Sequence, residues 1–229
     1  MMKIVTILCL LFLSPSSMHV YADTPLDEKN DVEQEKNRSN NSASQNTPAQ
    51  NNLPLEDFLT KLKIEQGIAN FTQKKHFTFL NNPIVSKGIL KVHQTRVIWQ
   101  VNTPVFSKLV IFGGQVWQQM DQGNNLHSSN DFQKVASHAS VETLIRAVFT
   151  GEINRAQWNI TLDDEQCLQL SPTDLILSQA INKITVCVPK SPTQRFVTLT
   201  DAQRNLTEIE LNITSNQLLD EDIREFNIH

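Results

Sequence analysis

Tyrosine is nearly missing from this sequence: the one tyrosine, Tyr21, falls in a leader that the chain is expected to lose, so no phenolic group remains for chemistry. Cysteine is scarce as well. The three cysteines are Cys9, Cys167 and Cys187; none forms a Cys-x-x-Cys pair and none has a histidine beside it, which argues against redox and zinc sites. Catalytic signatures are absent too: there is no G-x-S-x-G, G-x-G-x-x-G, P-loop or H-E-x-x-H. His76, His93, His127, His138 and His229 are scattered without metal-ligand spacing, and His127 and His138 sit in a Ser/Asn-rich loop expected to be solvated. The acidic pairs Asp163-Asp164 and Glu221-Asp222 fall at expected turns or helix starts, where carboxylates are at home. No enzyme, catalytic residue, metal or cofactor is therefore expected. Excess positive charge is missing as well: the formal net charge is −4, which leaves no basic face for nucleic acid.

What is present begins with an export signal. Lys3 precedes the apolar run Ile4 to Leu13, which is too short to span a bilayer. Val20 and Ala22 then occupy the −3 and −1 positions of a signal-peptidase site. Residues 1–22 read as a cleaved signal peptide, and the mature protein as an exported one, most simply in a bacterial periplasm. Residues 23–52 form a polar tail rich in Asn, Gln, Ser, Glu and Lys. Such a stretch buries too little apolar area to offset its ordering entropy, so disorder is expected, either as a tether or as a solvated leader. Residues 53–229 make one domain of ordinary size.

Periodicity sets the expected class of that domain. Leu55, Phe58, Leu59 and Leu62 have helical spacing behind Pro54, and Val141, Leu144, Ile145, Val148 and Phe149 make a second apolar helical stripe that ends before Gly151. The rest reads as about ten short strands, among them "IANFTQKKHFTFL", "SKGILKVHQ", "RVIWQVN" and "LTEIELNITS", with a hairpin turn at Gly113-Gly114. "DLILSQAIN" reads as a short helix, and "LLDEDIREFNI" closes the chain. The expectation is an α+β domain built on a strongly curved antiparallel sheet. Val97, Trp99 and Val101 fall on one face, and Trp117 is expected to take the equivalent place on its own strand. On the residues alone, that apolar face is either an ordinary core plugged by helices or a place to hold something greasy.

In order along the chain, "ANFTQKKHF", "VSKGILKV", "VIWQVNTP", "LVIFGGQVW", "LIRAVFTGE", "WNITLDDEQCLQLSP" and "LTEIELNI" resemble the periplasmic outer-membrane lipoprotein carriers, the LolA-like proteins. Phe71, Gln73 and Lys75, with Pro83, Ser86 and Gly88, resemble the side branch linked to export of other lipids. The resemblance implies an unclosed β-barrel with helices as a lid over a hydrophobic cavity. By the same resemblance that cavity would be lined by Trp99, Val101, Leu109, Ile111, Trp117, Leu144, Ile145 and Phe149. It also implies a monomer that carries acyl-chain lipid or lipoprotein cargo from an inner-membrane exporter to an outer-membrane acceptor. One departure stands out: the family's lid-latching arginine precedes a proline, whereas "VHQTRVIW" has no proline and its Arg96 is shifted toward the strand. Two further readings remain open, a lipid-sensing regulatory module and a small-molecule enzyme on the same half-barrel.

The cysteine pair gives a sharper expectation. Cys167 alternates away from Leu168 and Leu170, and Cys187 away from Val186 and Val188. Both thiols should leave the same face of neighbouring strands, the convex one if the aliphatic residues point inward, and an oxidising compartment would join them.

Overall fold

Alternation along the first strand, β1 (Gln66–His76), sets the rule for the whole sheet: Ala69, Phe71, Gln73 and Lys75 are buried, while Asn70 and Lys74 between them are exposed. The computed structural model describes residues 53–120, 132–135, 145–163 and 167–227. The leader at 1–22, the polar tail at 23–52, His127, His138, Val141, Leu144 and His229 lie outside these described residues.

A helix, α1 (Leu53–Leu62), precedes β1. It is followed by β2 (Ile84–His93), β3 (Arg96–Thr103), β4 (Ser107–Phe112), β5 (Gln115–Met120) and the short β6 (Gln133–Val135). A helical turn, α2 (145–149), leads into β7 (Trp158–Leu162) and β8 (Cys167–Pro172). Helix α3 (Leu175–Ala180), β9 (Ile181–Cys187), β10 (Gln194–Asp201), β11 (Leu206–Ser215) and helix α4 (Asp220–Arg224) complete the described chain. Asp174 caps α3, accepting hydrogen bonds from the backbone N–H groups of Ile176 and Leu177.

Among the described residues, all the strands join one eleven-stranded sheet in the order β6-β5-β4-β3-β2-β1-β11-β10-β9-β8-β7. Each neighbouring pair is antiparallel. The pairing of β1 with β11 unites two meanders that are far apart in sequence. Strands β6 and β7 stand at the two ends of the order, so the barrel is unclosed. The strand beyond the expected ten is β6, three residues with no alternation for the sequence to betray.

The sequence expectation fails at Trp117. Gly113 and Gly114 both have positive φ (57° and 75°) and form a two-residue turn that sets Phe112 opposite Gln115. Val116 then falls opposite Ile111 and Trp117 opposite Val110. Ile111 faces Val97 and Leu109 faces Trp99, so Val116, and not Trp117, continues the face of the first tryptophan. A one-residue offset is enough to turn a strand's side chains over. Trp117 instead packs on the convex side with Ile98, Val110, Phe112 and Phe226.

That convex cluster is covered by the C-terminal segment, which a row of cations on successive strands fixes in place. Lys91 donates to the carboxylates of Asp222 (2.6 Å) and Glu225 (2.6 Å), and Lys108 to Glu225 (2.7 Å). Arg96 donates to the side-chain oxygen of Asn227 (3.2 Å) and sits over the Phe112 ring. The hydrogen bond from Lys91, together with one from the backbone N–H of Leu219, holds the Asp222 carboxyl below its usual pKa. A carboxyl with a depressed folded-state pKa stabilises the fold above its ordinary value of about 3.9, and that stability is lost as the pH falls through the folded value. For Lys91, burial alone would lower the pKa, but Asp222 and Glu225 outweigh it and the net shift is upward, so its contribution fades only at the alkaline end. Asp222→Asn is therefore expected to flatten the acid limb. Urea unfolding at pH 7 and pH 3 should show a smaller loss of stability in the variant than in the parent, and equal losses would refute the assignment.

The disulfide is present as the alternation indicated. Cys167 and Cys187 face each other directly on β8 and β9 and are bridged, with a Cα–Cα distance of 4.1 Å and a sequence separation of 20. Leu168, Leu170, Ile184 and Val186 point the other way, into the core. In the chain-entropy account, closing a loop of this size stabilises by about 3 kcal/mol.

Candidate functional site: the covered concave face

The concave side of the sheet is a continuous apolar surface drawn from both meanders. Leu90, Val97, Trp99, Leu109, Ile111 and Val116 supply one half, and Leu168, Leu170, Ile184, Val186, Val197 and Leu199 the other. Trp99 lies at its centre, stacked on Phe71 of β1 across the intervening strand β2 (ring centroids 3.9 Å apart). The helices close over this surface. Phe58 and Leu62 come down from α1, and Ile145, Val148 and Phe149 from α2, with the Phe149 ring 5.5 Å from that of Trp99.

Of the residues expected to line the site, Trp99, Leu109, Ile111, Ile145 and Phe149 meet in this cluster and Val101 packs at its margin. Leu144 lies outside the described residues, and Trp117 is on the other face. The face is filled by the protein's own side chains in this covered arrangement. A separate groove of about 490 Å³ lies on the convex side of β1, β2, β3 and β11. Its walls mix Asn70, Thr72, Lys87, Asn102, Glu210 and Asn212 with Phe71, Gly88 and Ile89, and it is distinct from the continuous apolar surface of the concave face.

Of the six residues that resembled the lipid-export branch, Phe71, Gln73, Lys75, Ser86 and Gly88 lie on the adjoining strands β1 and β2, and Pro83 precedes β2. Phe71 is opposite Gly88, and Gln73 is opposite Ser86. Gly88 has to be glycine: a Cβ there would lie 1.9 Å from the Gln100 carbonyl oxygen and 2.7 Å from the Phe71 ring. Gln73, Lys75, Ser86 and Thr207 are all buried, which gives the apolar surface a polar end.

Among the described residues, polar contacts that hold the cover include those of Arg195 and Arg155. Arg195 on β10 is 5% exposed, and its guanidinium donates to the carbonyls of Pro192 (3.0 Å), Gln194 (2.7 Å) and Lys61 (2.7 Å). Lys61 is in the last turn of α1, where carbonyls lack intrahelical partners and a cation is favoured. Burial lowers the arginine's pKa, yet a guanidinium remains charged at any physiological pH. Arg155 pairs with Glu56 of α1, and Gly151, at φ +70°, lies against the Leu59 carbonyl, so the segment after α2 is knit to α1. Arg96 reaches the C-terminal segment on the convex side instead. Sequence reasoning missed Arg195. The only signal was a cation at an inward position of the alternating run "QRFVTLTD".

Three nitrogen donors in or beside this face make no hydrogen bond among the described residues: Trp99 Nε1, Trp158 Nε1 and Arg195 Nε. An unpaired buried donor costs about 1–3 kcal/mol. Among the described residues no group of His, Cys, Asp and Glu is arranged to hold a metal, and no helix is long and apolar enough to cross a membrane.

No known family model matches the chain, and no curated protein does. Solved structures do show likeness. A LolA superfamily protein, NE2245 from Nitrosomonas europaea, aligns over 72% of this chain and 95% of its own, at 10% identity and a TM-score of 0.42. A putative outer membrane lipoprotein-sorting protein domain from Vibrio parahaemolyticus aligns over 76% and 95%, at 13% identity and a TM-score of 0.32. At these scores the likeness adds nothing to the strand order and register, which define the fold by themselves. The fold is an unclosed antiparallel barrel with helices across its concave side, and among solved structures it is similar to that superfamily protein and that sorting domain.

Proposed function

We propose that this protein is a soluble periplasmic carrier that shields the acyl chains of a lipid or lipoprotein between the concave face and its helical cover, and moves them from the inner to the outer membrane. The observation that supports the reading most is the cover itself. A continuous apolar face, centred on Trp99, is closed by short helices held through Arg195 and a few surface ion pairs. If the helices swing aside, Phe58, Leu62 and Phe149 leave and an acyl chain takes their place against the same surface. Each buried methylene is worth about 0.8 kcal/mol, so a diacylated molecule does not cross water unaided. A carrier must also let go, which suits a cover of low local stability.

The reading is tested by vesicle-to-vesicle transfer. Donor vesicles carrying a fluorescent diacyl phospholipid should lose it to acceptor vesicles several times faster when the protein is present. Binding without transfer would favour a lipid-sensing module, and absence of both would overturn the carrier reading.

A further inference from the structure

Resting on the carrier reading, we infer that the cargo enters the covered face with its acyl carbonyls, and that Trp99 Nε1 is their hydrogen-bond donor. Trp99 is 1% exposed, and its indole nitrogen has no acceptor among the described residues. Stacking on Phe71 and the contact with Phe149 account for the bulk of the ring but give the N–H no acceptor, so it is a donor that the packing leaves over. Trp158 Nε1 and Arg195 Nε, also buried and without acceptors, make this face rich in spare donors. A ligand complementary to these donors brings acceptors. A plain hydrocarbon tail cannot do this; an ester- or amide-linked acyl chain can, because its carbonyl oxygen lies at the head of the apolar chain.

Phe149 of α2 is the aromatic residue of the cover that touches Trp99, so opening the cover gives a ligand access to the indole. Trp117 supplies an internal control, since its Nε1 is also unpaired but lies in the separate convex cluster.

The test compares a short-chain diester phosphatidylglycerol with its diether analogue, which has the same headgroup and chains but no carbonyl oxygens. The parent protein should bind the diester about tenfold more tightly, the factor of one hydrogen bond gained. The Trp99 indole N–H resonance should move downfield with the diester only, while that of Trp117 stays put. Trp99→Phe should bind both lipids equally, with the affinity of the diether. Equal binding of the two lipids by the parent protein, an unmoved Trp99 resonance, or a preference that survives in Trp99→Phe would overturn the inference. If that variant does not fold, the lipid comparison and the resonance in the parent protein still decide. Binding of neither lipid would instead bring down the carrier reading, and the inference with it.

Discussion

Gly88→Ala should cost about 3 kcal/mol of stability, at the upper end of overpacking changes. The added methyl would meet the Gln100 carbonyl oxygen at 1.9 Å, and backbone in the next strand cannot move aside as a flexible side chain could. It would also push against Phe71 at 2.7 Å, and Phe71 carries the stacked Trp99 ring, so the strain passes into the centre of the concave face. Total domain stabilities are about 5–15 kcal/mol, and such a loss should shift the urea midpoint well outside experimental scatter. A variant within about 0.5 kcal/mol of the parent, the range of ordinary surface changes, would contradict the packing described.

Arg195→Met is expected to loosen the cover more than the sheet. Methionine keeps most of the apolar stem but removes the guanidinium that bonds the Pro192, Gln194 and Lys61 carbonyls. Hydrogen bonds from a charged donor contribute about 1.5–3 kcal/mol, and one carbonyl released here is the end of α1. Amide exchange over residues 58–63 should therefore speed up by about tenfold to a hundredfold, while the β1–β11 amides, held in the middle of the sheet, keep their protection. If the cover is what opens for cargo, the same variant should also transfer lipid faster. Uniform acceleration across the whole domain would mean that Arg195 supports the entire fold and does not latch one helix.

Much of this architecture is written locally, and local writing is what a sequence shows. Val97, Trp99 and Val101 alternate along their strand, Pro54 marks a helix start, "DLILSQAIN" gives a short helix, and the Gly113-Gly114 turn names its hairpin. The disulfide was legible for the same reason: the alternation in "QCLQLSP" and "ITVCVPK" fixes which face each thiol takes. Trp117 was misplaced because its face follows from pairing across the turn, Ile111 with Val116 and Val110 with Trp117, a matter of register between strands and not of pattern within one. Arg195 was missed because its meaning lies in three carbonyls, one of them far away in sequence on a different element. The convex anchor of Lys91, Lys108, Asp222 and Glu225 was hidden likewise: ordinary surface charges read singly, they become a network only when α4 folds back on β2 and β4.

The central claim is that acyl chains enter the concave face, and two of the three sheet tryptophans, Trp99 and Trp117, lie on opposite faces and allow a direct measurement. Two variants are needed, each keeping one indole: Trp117→Phe with Trp158→Phe leaves Trp99, and Trp99→Phe with Trp158→Phe leaves Trp117. Each is titrated with a phospholipid brominated along its acyl chains, whose bromine quenches indole fluorescence only at close range. The account predicts saturable quenching of Trp99 and unchanged emission from Trp117. Quenching of Trp117 alone, or no quenching of Trp99 at lipid concentrations where binding is complete, would contradict it.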